Sequence, residues 1–258
     1  MRESLLSFFS ASGLVQRDVV DLISDSSIPT LNRILSWGNT FGISEYTLLL
    51  TFGGAYFLSL FALLLGMFTH ASAFIAWLLH WTLMNTGYSG AYGADMYAHI
   101  FLFYLVWVPS GAYFSLDRVL HRVSSEASFQ ARLGLRVIQL HLCVSYFASG
   151  IEKASGSQWW NGEVIWRALN LPGYCPFDMQ WLAHFPVLAT VLGLGTLLFE
   201  SLYCVFIWPR KTRLLWVIGM CSLHLSIAIF LKLYIFGILM CIPTLSCFAF
   251  SAKPEVQT

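Results

Sequence analysis

The sequence predicts an all-α protein, a polytopic transmembrane helix bundle of about seven apolar spans preceded by an N-terminal amphipathic helix. Three observations carry this reading. Hydrophobic residues make up 57% of the 258 and charged residues only 10%, with a mean hydropathy of +0.69, far from the averages of soluble domains. Apolar runs recur at lengths close to the ~20 residues a helix needs to cross ~30 Å of hydrocarbon. No linker, low-complexity stretch or internal repeat interrupts them, so one membrane domain is expected, with an amphipathic region 1–45, a membrane domain 46–250 and a tail 251–258.

The first stretch, SLLSFFSASGLVQRDVVDLI, is broken by Gly13, Arg17, Asp18 and Asp21. It reads as a surface helix, since a cleaved signal needs a basic start and an unbroken apolar centre. Pro29 opens a second, weaker amphipathic piece. The spans expected after it are Tyr46 to Phe68, Ser72 to Thr86, Tyr97 to Phe114, Leu135 to Ile151, Pro186 to Trp208, Leu214 to Leu231 and Leu233 to Phe250. Five of the six cysteines lie inside apolar segments and Cys175 lies in a loop. With no Cys-x-x-Cys pair, they read as small packing residues and indicate neither a thiol redox centre nor a zinc site.

Net charge is +1 and the basic residues are dispersed, which leaves nucleic acid without an electrostatic footprint. The loop after the third span holds Arg118, Arg122, Arg132 and Arg136, and the loop after the fifth holds Arg210, Lys211 and Arg213. Lys and Arg collect in cytoplasmic loops, so these loops are expected on the cytoplasmic side. Lys153 and the WWNG run then fall on the extracytoplasmic side, with the bacterial cytoplasmic membrane as the expected location.

Several polar residues sit at membrane depth, where an unpartnered one is costly. Gln139, Tyr146, Gly150 and Lys153 are separated by seven, four and three residues, which places them on one helical face. Glu200 and His224 lie among apolar residues on the fifth and sixth spans, and His80, His99 and His141 complete the set. A single intramembrane His or Glu most often satisfies an interhelical hydrogen bond. For Lys153, at the end of an apolar stretch, residue physics leaves two readings open: snorkelling to the interface, or a neutral amine acting as a base.

An ordered series of motifs adds to this. YFSLDR at Tyr113 to Arg118, RVIQLHLCVSYFASGIEK at Arg136 to Lys153, WWNG at Trp159 to Gly162, LLFE ending at Glu200, and Arg213 eleven residues before His224 together resemble the transmembrane domain of the vitamin K-dependent gamma-carboxylase family, also called the horizontally transferred transmembrane domain. The resemblance covers Tyr46 to Phe250. It implies that Lys153 is the base that deprotonates a reduced quinone resembling vitamin K hydroquinone. The activated quinone reacts with dioxygen to give a strongly basic oxygen species, which takes a γ-proton from a peptidyl glutamate whose carbanion captures carbon dioxide.

By the same resemblance His224 stabilises the quinol site, and His99, Tyr146, His141 and Gln139 belong to the cofactor-binding set. Trp159, Trp160 and Asn161 order the loop behind the lysine, and Glu200 pairs with Arg213 or with a histidine in an architectural role. No metal is indicated. The sequence ends soon after the last span, without the large lumenal region that animal carboxylases use for propeptide and substrate. In this it resembles the compact bacterial members, including the sporulation-delaying protein B type, implicated in maturing secreted antimicrobial peptides. A secreted peptide as substrate and a soluble or membrane partner protein are therefore expected beside the lipid bilayer.

Two function classes follow: a quinol-linked membrane enzyme or enzyme subunit that modifies a peptide, and a non-enzymatic scaffold, export or immunity component. Retention of Lys153 with His224 favours the first. A transporter is weaker, because neither a pair of broken helices nor a repeated half is evident.

Overall fold

The computed structural model describes residues 8–10, 19, 29–87, 90–123 and 128–249. The first amphipathic stretch, with Arg17, Asp18 and Asp21, and the tail 251–258 lie outside these apart from single positions. No strand occurs among the described residues. Contacts cluster into two compact units, Met1–Gly134 and Leu135–Thr258.

In the first unit, the piece opened by Pro29 forms helix α1, Leu31–Thr40. Leu31 and Leu35, one turn apart, are buried with Leu49 and Phe52, and the Leu31 N–H donates to Thr86 Oγ1 at 2.8 Å. Helix α2, Glu45–Leu64, starts where the Ser44 hydroxyl accepts the Thr47 N–H at 3.2 Å, with Glu45 complementing the helix dipole. Helices α3, Thr69–Thr86, and α4, Gly93–Trp107, pack against it in sequence. Asp95 starts α4 by accepting the Tyr92 N–H at 3.0 Å.

The turn between α2 and α3 is latched by the YFSLDR motif. Gly66 takes φ +66°, and a side chain there would run into the Ser115 backbone and Cβ. Leu116 and Asp117 donate their N–H groups to Leu65 and Gly66 carbonyls at 3.0 and 2.9 Å. In return the Asp117 carboxylate accepts the N–H groups of Phe68 and Thr69 at 2.9 and 3.0 Å, capping α3 from about fifty residues away. Ser115 opens the short helix α5, Leu116–Val119, its hydroxyl accepting the Arg118 N–H at 3.0 Å.

The second unit holds most of helix α6, Phe129–Ala154, then two short helices, α7 (Ser157–Trp160) and α8 (Glu163–Leu169). Helix α9, Pro186–Phe206, begins with proline at a position whose N–H has no helical partner in any case. Arg213, in the first turn of α10 (Arg210–Leu231), closes the end of α9 by donating to the carbonyls of Ile207 and Trp208 at 3.2 and 2.7 Å. Lys232, at φ +56°, separates α10 from α11, Tyr234–Thr244, which continues as a π-helical turn over Leu245–Ala249 just after Pro243. Tyr203, Ile207, Met220, Met240 and Phe248 form the buried centre.

The expected segments are helical, but the expectation of about seven apolar spans is corrected. Three helices, α2, α9 and α10, are long and apolar enough to cross a membrane, and only 22% to 28% of their apolar windows is buried within the protein. Their remaining apolar surface needs an apolar surrounding. The others fall short for separable reasons. Helix α4 has 15 residues, because Pro109 turns Val108 to extended backbone (ψ 133°) and ends the helix before Phe114. Helix α11 has 11 before its π turn. Helix α6 is 26 residues long, but Arg136, Gln139 and His141 lower the hydropathy of the stretch before Glu152 and Lys153.

Candidate active site

The face of α6 expected to point inward does so: Gln139, Tyr146 and Gly150 are buried, and Lys153 closes the helix as a half-buried residue. Gly150 sets the geometry. A Cβ there would sit 2.7 Å from Ser201 N and 2.9 Å from Ser201 Cα, so α6 and α9 approach as closely as a residue without a side chain permits. One turn further along α6, that approach brings Lys153 against the residue preceding Ser201. Lys153 Nζ donates to Glu200 Oε2 at 2.7 Å and also to the Ser149 hydroxyl. The side chains are 24% and 6% exposed, so the carboxylate is the more deeply held partner.

Lys153 Nζ stands over the Trp159 ring, 5.6 Å from its centroid. The WWNG loop is held there by glycines. Gly162 takes φ +78° where a side chain would meet the Ala189 and Thr190 backbone, and a Cβ on Gly193 would lie 2.6 Å from the Trp159 carbonyl. Trp160 Nε1 donates to the Ala154 carbonyl at 2.7 Å, and the Thr190 hydroxyl donates to the Asn161 carbonyl at 3.0 Å. The Asn161 side chain accepts the Glu163 N–H at 3.0 Å and so starts α8.

A second polar station lies seven residues back along α6, ~10 Å by helical rise. Tyr146 and His224, each 3% exposed, are joined by a 2.9 Å hydrogen bond between the hydroxyl and Nε2. Tyr203 packs on Tyr146 at 4.5 Å between centroids, and Phe236 meets the His224 ring at 5.7 Å. His224 Nδ1 is buried with no hydrogen-bond partner among the described residues. An orphaned buried nitrogen is expensive to maintain and calls for a polar atom of a ligand or water.

The other residues singled out from the sequence divide between roles. Gln139 donates to the Cys247 carbonyl at 2.7 Å and accepts from Arg136 at 2.9 Å, tying α6 to the π turn. His141 is half-buried on α6. Glu200 takes Lys153 as its partner, whereas Arg213 is spent on closing α9. His99 belongs to the first unit, where it stacks on Trp77 and His80 at 5.4 and 5.8 Å. His80 accepts from Tyr56 at Nδ1 (2.8 Å), because its Nε2 must donate to the Asp95 carbonyl (3.0 Å). Sequence reasoning missed Ser149 as a lysine partner, although its i−4 spacing from Lys153 was a usable signal. It also left Trp159 on Lys153 and the capping role of Asp117 unread. Among the described residues no cluster of three His, Cys, Asp or Glu side chains could hold a metal ion.

A family model described as HTTM domain matches residues 36–251, more than four-fifths of the chain. No curated protein and no solved structure matches it.

Proposed function

Because the chain belongs to the HTTM domain family, a family of membrane domains linked to carboxylase-like proteins, we propose that its second unit is the centre of a quinol-linked reaction that modifies a secreted peptide. The observation that carries this reading is the Lys153–Glu200 pair, at 2.7 Å beside Trp159. A lysine must shed its proton before it can act as a base. An adjacent carboxylate provides for this without a change in net charge: moving one proton from ammonium to carboxylate converts the ion pair into amine and carboxylic acid. Lys153 Nζ then receives the proton of a bound hydroxyl, while Glu200 and Ser149 hold the amine in place.

The residues fit a reduced quinone on their own chemistry. The orphaned His224 Nδ1 needs a polar partner, and Tyr146 and Phe236 offer aromatic faces beside it. Such a group, when bound, supplies the reducing equivalents and the acidic hydroxyl. Tyr146 fixes the imidazole orientation through Nε2, leaving Nδ1 for the ligand. The distribution of arginine and lysine favours an extracytoplasmic position for Lys153 and the WWNG loop, where a secreted peptide and a partner protein can reach them.

The test is mass spectrometry of a candidate peptide co-expressed with wild type, Lys153→Ala and Lys153→Arg. Wild type is expected to add carbon dioxide or another group, and both variants to add none while remaining folded. Undiminished modification by either variant removes Lys153 from the chemistry. A second reading rests on the same pair: a lysine already matched by a carboxylate is also what a structural scaffold contains. In that case an apolar replacement of both partners keeps the biological function.

A further inference from the structure

Segment 113–122 of the first unit is anchored from within and unlike its surroundings outside. Its two buried polar residues are satisfied internally. The Ser115 hydroxyl bonds the Gly111 carbonyl and accepts the Arg118 N–H at 3.0 Å, and the Asp117 carboxylate takes the backbone N–H groups of Phe68 and Thr69. What remains outside is apolar and basic: Leu116, Val119 and Leu120 are exposed beside the aromatic and basic residues. Tyr113 is 62% exposed and Phe114 wholly so, while Arg118, His121 and Arg122 are exposed. With Asp117 turned inward, the outward charge of the described segment is positive.

Phe114 and His121 are also held at φ +49° and +54°, a region that costs energy for residues other than glycine and persists only where the surroundings enforce it. Enforced strain that pushes a phenylalanine fully into water is unfavourable twice over, unless the ring enters an apolar phase. Beside the segment lies a half-open cavity of about 160 Å³ whose lining includes Leu63, Leu64, Leu105 and Phe114 together with the polar Thr69 and Ser110.

We propose that this segment is an interfacial anchor that binds an anionic phospholipid of the leaflet it faces. Arg118 and Arg122 hold the headgroup phosphate, Phe114 and Tyr113 enter the acyl region, and the cavity receives the first part of a chain. Arginine suits the phosphate because its planar donors match the anion's oxygens, and aromatic side chains are favoured at headgroup depth. Arg122 already stands over the Phe68 ring at 4.2 Å, with 3.4 Å to Asp117. Among the described residues the Arg118 guanidinium donates to the Val123 carbonyl at 3.3 Å.

The test uses the full chain in vesicles of equal phosphatidylcholine and phosphatidylglycerol, followed by extraction and native mass spectrometry of the lipids retained. Wild type is expected to keep phosphatidylglycerol in excess, and Arg118→Gln to cut that excess about fivefold. Phe114→Ser should lower retention of both lipids, and Lys211→Gln, in the other unit, should change nothing. Melting in phosphatidylcholine alone confirms that each variant folds. Equal retention of the two lipids, an unchanged excess in Arg118→Gln, displacement of the lipid by inorganic phosphate alone, or a dimer seated on this face in place of lipid would each overturn the proposal.

Discussion

Separating the Lys153–Glu200 pair tests both the geometry and the chemistry assigned to it. At 2.7 Å and an effective dielectric of ~20 the gross attraction is ~6 kcal/mol, most of which offsets the desolvation of the two groups. Lys153→Met strands a carboxylate that is only 6% exposed and is expected to cost ~3–5 kcal/mol. Glu200→Leu strands a lysine that is 24% exposed and can regain water through its long stem, so the loss should be smaller, ~2–3 kcal/mol. The double variant replaces the pair by apolar side chains of similar volume and should lie within ~1–2 kcal/mol of wild type. Reversible unfolding of the four proteins in mixed micelles completes the cycle, with an expected coupling of ~3 kcal/mol or more. A coupling below ~0.5 kcal/mol would mean that the two charges do not interact as placed. The cycle also divides the two functional readings. If the pair is chemical, the double variant is stable and inactive; if it is structural, the double variant is stable and functional.

Gly150→Ala places a Cβ against the Ser201 backbone and should cost ~1–3 kcal/mol, whereas Gly195→Ala, with open space around it, should be neutral or stabilising; similar melting temperatures for the two would refute the close approach. Tyr146→Phe removes the 2.9 Å bond to His224 and keeps the ring contacts, so a loss of ~1 kcal/mol and a smaller thermal shift on adding a reduced quinone are expected; an unaltered shift excludes Tyr146 from orienting the histidine. Burial alone would raise the Asp117 carboxyl, but the Thr69 and Phe68 amides and Arg122 outweigh it and hold the group below its usual range. Its contribution is therefore present above the ordinary carboxylate value and lost as pH falls through the lower folded one, and Asp117→Asn should lack this acid limb in melts followed down to about pH 3. Identical acid limbs would contradict the capping role. A cysteine at the exposed Ser157, in a Cys175→Ser background, should react with an impermeant thiol reagent on intact cells; labelling only after lysis reverses the orientation.

Hydropathy and periodicity are local properties, and what depended on them was legible in the sequence. The helical class, the inward face of Gln139, Tyr146, Gly150 and Lys153, the helix opened by Pro29 and the break before Leu233 all follow from residue order over a few turns. The motif series likewise pointed to the family that the matched residues 36–251 show. Span number was less legible. Hydropathy averages over a window and does not register that Pro109 stops α4 at Trp107.

Partner choice was decided only by tertiary structure. From the sequence, Glu200 had Arg213 or a histidine as its expected partner, and Lys153 was as well suited to snorkelling. Neither outcome can be read locally, because both turn on how closely α6 and α9 approach, and that is set by one missing side chain at Gly150 facing Ser201. The same approach draws Lys153 to Glu200, and glycine-mediated packing of the WWNG loop sets Trp159 beside them. Composition determined that a charge at this depth needed a partner; the fold supplied its identity, since a 2.7 Å contact across 47 residues depends on helix packing rather than on residue order.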